Sequence, residues 1–324
     1  MTSLTARTAR PVPASGLRAG ALAVAALACF AANSLLCRAA LGRGHADPGS
    51  FTAVRLASGA ATLALLLGAT RRTRPSGGSW TSALALFAYA AAFSLAYVRI
   101  RAGVGALVLF ALVQATMVGY GLATGTRLGP RGWTGAALAT AGLGWLTLPG
   151  AGAPDLAGTV LMAFAGVAWG VYSVRGRRAL DPLAMTADNF VRAAPLGIAF
   201  LAAQAASAHA TATGMALAVA SGALASGLGY AIWYAALPAL GAARAGTVQL
   251  AVPVLAAAGA AIFLGERVTP RLVGAGLAIL AGIALSVFAA RRPPHSPRYA
   301  FLTSGLASSS LPVPRITTAP VSRT

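Results

Sequence analysis

Apolar residues run through this chain in long blocks of about twenty, separated by short polar stretches. A helix that crosses the hydrocarbon core of a bilayer needs about 20 mostly apolar residues. Ten blocks meet or approach that length: 19–38, 51–70, 81–98, 102–124, 132–149, 156–174, 188–208, 214–237, 245–264 and 272–290. The second and seventh are the weakest, because the second contains Arg55 and the seventh contains Arg192 and Pro195. Connections are short; Arg99-Ile100-Arg101 alone joins the third and fourth blocks, which leaves no room for a soluble domain. Residues 1–16 are polar, and residues 291–324 are rich in Pro, Ser, Thr and Arg. Neither stretch can build a core, so both read as disordered tails.

Composition supports the membrane reading. Of 324 residues, 57% are hydrophobic and 9% charged, against about 25% charged in an average soluble domain. Every basic residue is Arg, and the net charge of +20 could suggest nucleic acid. The arginines instead sit in short runs between apolar blocks, as signals of orientation do. With an internal N-terminus, 17 arginines fall on the inner side and 6 on the outer. That bias predicts a multi-pass protein of the inner (plasma) membrane with both termini cytoplasmic, no nucleic-acid partner, and the lipid bilayer as its solvent. A homodimer is compatible with this plan. The first block reads as a retained helix, not a cleaved signal. Cys29 and Cys37 are separated by about 12 Å of helical rise, too far for a disulfide. No metal-ligand spacing and no cofactor motif emerges.

The halves resemble each other at an offset of 140 residues. GTRLGPRGWTGAALATAGL begins at Gly125 and GERVTPRLVGAGLAILAGI at Gly265; 6 of these 19 positions are identical, including Pro130-Arg131 and Pro270-Arg271. Five helices per half is an odd number, so the second half must be inverted relative to the first. Inverted repeats characterise secondary transporters, with the solute site near the midplane. The expected fold is therefore an all-α integral membrane protein with ten transmembrane helices as two inverted five-helix repeats, residues 17–150 and 151–290, and its expected partner is a small solute.

Several stretches also carry a family resemblance: GLGYAIWYAALPALGAARAGTVQLAVPVLAAAGAAIFLGERVT (227–269), AANSLLCRAAL, DPGSFTAVRLASG and FSLAYVRIRAGVGALVLFALVQATMVGYG. Across roughly 19–290 the chain resembles an EamA-type member of the drug/metabolite transporter superfamily. The resemblance implies a central cavity, alternating access and often efflux of metabolites, amino acids or toxic compounds. One departure is Thr126, where the family's first repeat commonly has a Glu matching Glu266.

Polar groups in hydrocarbon usually face a bundle interior or cavity. The candidate solute-binding set is Asn33, Arg55, Tyr89, Gln114, Trp169, Asn189, Arg192, Tyr230, Trp233 and Gln249. Gln114, central in its helix, either binds solute or glues helices together. Arg55 either binds an anion or snorkels to the headgroups, and Arg192 is expected as its counterpart in the second half. Asp188 and Arg192, four apart at the start of the seventh helix, can pair. The deeper aromatics suit a cation, so arginine and rings predict opposite solutes; Tyr97 and Tyr172 fit an interfacial belt. Pro253, near Gln249, is either a hinge or a static kink. No acid lies mid-membrane, and Glu266 is expected to bridge Arg267 or Arg271. The histidines His45, His209 and His295 all fall in loops or a tail, so no triad or metal constellation supports an enzyme. A non-transporting membrane adaptor is the remaining alternative.

Overall fold

The computed structural model describes residues 16–69, 77–150, 152–177 and 179–291. The predicted tails, except Gly16 and Arg291, and the loop arginines Arg71, Arg72, Arg74 and Arg178 lie outside these residues. The helices are α1 (Gly16–Leu41), α2 (Pro48–Ala69), α3 (Trp80–Arg99), α4 (Ala102–Ala123), α5 (Pro130–Thr147), α6 (Leu156–Gly176), α7 (Pro182–Ala203), α8 (Ala212–Val219), α9 (Gly229–Val248), α10 (Ala251–Leu264) and α11 (Pro270–Ala289). A π-helical segment, Ala220–Leu228, joins α8 to α9 without a break. Two short strands, β1 (Arg127–Leu128) and β2 (Ala290–Arg291), pair antiparallel. Among the described residues, seven helical stretches are long and apolar enough to cross a membrane. The protein is all-helical and multi-pass.

Local chemistry sets where the helices start. Asp47 precedes Pro48, and its Oδ1 accepts the Ser50 N–H at 3.0 Å. Asp181 precedes Pro182, and its Oδ1 accepts the Ala184 N–H at 3.1 Å. Proline fits the first helical position because its missing N–H has no partner there anyway, and the aspartate takes up another free donor. The seventh helix thus begins at Pro182, six residues before the 188–208 predicted for it. Asp188 lies two turns inside it rather than at its start.

The boundary between the eighth and ninth predicted helices also differs. Helix continues through Val248, and α10 begins only at Ala251. Pro253 is consequently in the first turn of α10, not inside a helix, so it breaks no backbone bond. This removes the mid-helix kink on which a hinge at Pro253 was expected. The prolines inside helices are Pro195 in α7 and Pro238 in α9.

Loop contacts sort the helix ends into two faces. At the α3–α4 end, the Asp47 N–H donates to the His209 carbonyl at 3.0 Å, and the His209 N–H donates to Asp47 Oδ2 at 2.8 Å. Arg99 pairs with Asp155 at 3.6 Å at the same end. At the α6–α7 end, the Gly78 and Ser79 N–H groups donate to Asp188 and Asn189, each at 3.0 Å. There too Arg175 Nε donates to Ser82 Oγ at 3.0 Å. The helix α1 therefore ends on the face where α6 begins.

Small residues carry the close helix contacts. A Cβ on Gly135 would collide with the Gly282 carbonyl, and one on Gly282 with the backbone of Gly135 and Ala139, so α5 and α11 pack backbone to backbone. Gly222, in the π segment, sits against the Arg55 carbonyl and Ser58. With lipid as apolar as the side chains, this intimacy replaces the hydrophobic effect as the source of helix association. Large apolar side chains such as Trp133, Phe164, Ile262 and Phe263 face outward.

Two outcomes follow. Gly135→Val should lower stability by about 1–3 kcal/mol, the usual cost of overpacking. Gly119→Val, whose Cβ meets nothing within 4 Å, should cost much less; thermal unfolding in detergent compares them. Asp47 gives a pH dependence. Burial raises its pKa, but hydrogen bonds from Ser50, His209 and Gly49 more than offset that and hold it below the ordinary carboxylate value. A depressed folded pKa means stability that is present above the ordinary value and lost as pH falls through the folded one. The melting temperature should fall on acidification below the carboxylate range, and less steeply in Asp47→Asn.

Candidate functional site

A cavity of about 380 Å³ opens among α1, α3, α4, α6, α7 and α9. It runs from Asn33, Tyr89 and Phe93 at mid-depth to Gly176, Arg177 and Pro182 at the α6–α7 end, where it has its mouth. The volume falls in the range of small-molecule sites.

One wall is a stack of rings. Trp169 is stacked on Tyr172 at 5.2 Å and on Tyr230 at 5.6 Å between centroids, and Tyr230 on Tyr234 at 6.3 Å. Tyr89 meets Trp169 at 4.8 Å, and Phe30 approaches Trp233 at 5.8 Å. Tyr172, 3% exposed, and Tyr97, 0% exposed, are both interior, so neither belongs to an interfacial belt. Tyr97 is held against Phe93 at 4.6 Å. Tyr172 donates to Thr186 Oγ1 at 3.4 Å.

A polar chain adjoins this stack at Tyr89. Ser221 Oγ donates to Asn33 Oδ1 at 2.7 Å, and Asn33 Nδ2 donates to the Tyr89 hydroxyl at 3.1 Å. Arg55 Nη2 donates to the same hydroxyl at 2.9 Å. The π segment, with its wider turn, places Ser221 on this chain. Arg55 is 2% exposed, and its guanidinium lies 5.1 Å from the centroids of both Tyr89 and Phe93. It does not snorkel. A charge at the bilayer centre costs at least about 2.5 kcal/mol. Two ring faces at about 2 kcal/mol or less each, with one hydroxyl, offset a cost of that size. Arg55 Nε and Nη1 nevertheless have no hydrogen-bond partner.

The α3–α4 end of the cavity is sealed. Arg38 Nε meets Glu266 Oε1 at 3.2 Å, and Arg38 Nη1 donates to the Tyr97 carbonyl at 2.7 Å and the Val98 carbonyl at 3.2 Å. Glu266 Oε2 accepts the Ala102 N–H at 2.9 Å. The arginine therefore caps the C-terminus of α3 and the glutamate the N-terminus of α4, each charge at the favourable pole of its helix. Glu266 pairs with Arg38, not with Arg267 or Arg271 as its neighbours in sequence suggested.

Of the sequence-derived set, Asn33, Tyr89, Trp169, Tyr230, Trp233 and Gln249 line the cavity. Arg55 stands behind Tyr89 and Phe93. Asn189 is fully buried one layer out, with Nδ2 3.5 Å from the Tyr172 hydroxyl. Gln114 is buried in α4, whose lining positions are Leu109, Phe110, Val113 and Met117. Arg192 pairs with Asp188 near the α6–α7 end and does not reach the cavity. Aligning the two Asp-Pro helix starts, 47–48 on 181–182, matches Arg55 with Asn189 and Thr52 with Thr186. That signal was in the sequence. On that register Asn189, not Arg192, falls at the position of Arg55. Phe93, Ser221 and Tyr234 had no comparable signal, because only the fold brings them to the site.

A sequence profile of the EamA-like transporter family matches residues 156–288. An uncharacterized protein of Pseudomonas aeruginosa is 53% identical over 265 residues, which cover 82% of this chain and 92% of that protein. A solved crystal structure shares the fold with a TM-score of 0.62 at 21% identity, over 86% of this chain and 100% of the other.

The Ser221–Asn33 bond is buried at both ends, so each single removal strands a polar partner, at about 1–3 kcal/mol. Asn33→Ala and Ser221→Ala should therefore be less than additive when combined, with a coupling of about 0.5–3 kcal/mol in a double-mutant cycle of melting stability. Additive losses would mean the bond does not form.

Proposed function

Since the chain belongs to the EamA-like transporter family, we propose that it is a secondary transporter that moves a small metabolite or drug-like solute across the inner membrane by alternating access. The observation that carries this reading is the cavity, open at one end and closed at the other by the Arg38–Glu266 lock. A carrier needs such a state and its mirror image. A dry, filled centre would have suited a membrane adaptor; a polar-walled cavity does not.

We take the ten blocks as ten spans, with the α8–π–α9 run as one. The packing supports two inverted repeats: α2 packs on α7, α5 on α11 and α4 on α10, which an exchange of halves leaves unchanged. The same exchange turns α3 on α6 into the eighth span on α1, and α4 on α6 into α10 on α1, both of which occur. The arginine bias assigns the α6–α7 end to the cytoplasm. On that assignment the cavity faces the inside, the state from which efflux would start. The lock holds the outer gate.

The test uses vesicles containing the purified chain, preloaded with unlabelled solute and given a labelled trace from a panel of amino acids, carboxylates, amines and nucleosides. Counterflow of at least one solute is expected. It should stop when Arg38→Cys and Glu266→Cys are oxidised to a disulfide in a chain that lacks Cys29 and Cys37, and return on reduction. Absence of counterflow for every solute, with Ser34→Cys labelled from the mouth side alone in both Glu266 and Glu266→Ala chains, would sink the carrier reading.

A further inference from the structure

We infer that the cavity takes a small organic anion, a monocarboxylate with an aromatic or flat apolar body, with the Tyr89 hydroxyl as its direct donor and Arg55 as the positive charge behind it. This rests on the carrier reading and narrows it to one charge class.

Arg55 supplies the first reason. No carboxylate among the described residues pairs with it, and Nε and Nη1 are buried without a partner. A buried cation in this state lacks an anion, and the cavity is on the far side of the ring it touches.

Tyr89 supplies the second. Its oxygen already accepts two N–H groups, from Asn33 and Arg55. A phenol that accepts twice still has its own proton to give, and no described group takes it. Tyr89 lines the cavity. A carboxylate oxygen placed there would receive a hydroxyl proton polarised by an arginine, a charge-assisted arrangement stronger than a neutral one.

The remaining lining excludes the opposite charge. No Asp or Glu is among the described lining residues, and Arg177 adds a second positive group at the mouth. Rings alone would suit a cation, but the faces of Tyr89 and Phe93 are already turned to Arg55. Trp169, Tyr172 and Tyr230 turn their faces to one another and so give the flat body of the solute a wall of ring edges. One donor cluster at the deep end, not two, argues for a single carboxylate.

The test compares three ligands of one framework, phenylacetate, phenylacetamide and phenethylamine, by calorimetric titration of the full chain in detergent. Phenylacetate should bind about tenfold tighter than the amide, the worth of one charge-assisted bond, and the amine should bind weakest. Arg55→Gln should reduce the carboxylate preference to about threefold or less. Tyr89→Phe, which removes only the hydroxyl, should do the same; it strands the Asn33 and Arg55 N–H groups and lowers the melting temperature, so retained phenylacetamide binding in both variants shows that neither result comes from misfolding. Tightest binding of the amine, an unchanged carboxylate preference in both variants, or no binding of any of the three would overturn the assignment. Tight carboxylate binding without flux in vesicles would support it while removing the carrier reading. Flux of amines alone would do the reverse.

Discussion

A bilayer core offers no hydrogen bonds, so each polar group inside this molecule must be satisfied by the chain itself. Helices meet the demand for the backbone. For the side chains the solution is spatial. Charged groups are gathered at the two faces, where Arg38, Glu266, Asp47, Asp188 and Arg192 each bind a backbone end or another charge. The mid-depth polar thread from Ser221 to Arg55 is the exception. It is also the edge of the cavity. The same constraint that orders the fold thus singles out the site, because among the described residues the buried guanidinium left incompletely satisfied, Arg55, is next to the space that a solute can enter.

Helix-end chemistry gives the two faces their different character. At the α3–α4 end one ion pair ties the termini of four helices, since Arg38 belongs to α1, Glu266 follows α10, and their backbone partners end α3 and begin α4. At the other end, Thr126 stands at the position that the 140-residue sequence offset matches to Glu266. The ion pair closes the bundle at one end, and the cavity reaches the other.

Much of this was readable from the sequence, because the apolar blocks have a physical length. Each block falls on helix in the same order along the chain, and six of the ten proposed solute-site residues line the cavity. The losses have specific causes. The start of α7 was misplaced because the capping pair Asp181-Pro182 marks it through hydrogen bonding, which hydropathy does not measure. Arg192 was matched to Arg55 by position near the start of its helix and by the family resemblance; register from the Asp-Pro pairs points to Asn189 instead. Pro253 looked internal only because the preceding break was placed too early. Tyr97 and Tyr172 are near helix ends along the chain, yet both rings turn inward, and direction around a helix is invisible when all faces are apolar. The partner of Glu266 is 228 residues away, and no local pattern could supply it.

The glycine seam between α5 and α11 has a further consequence, for how the protein is made. Gly135 and its partner Gly282 are far apart in a chain that enters the membrane from the N-terminus, and the β1–β2 pair that ties the same helices uses Arg291. At about 5–20 residues per second of synthesis, α5 waits roughly 7–30 s in the bilayer before its partner exists. During that interval a groove of bare backbone faces lipid or an insertion factor. Completion of the bundle is thereby deferred to the last helix, and a ribosome that stops early leaves behind an open-sided intermediate that quality control can recognise.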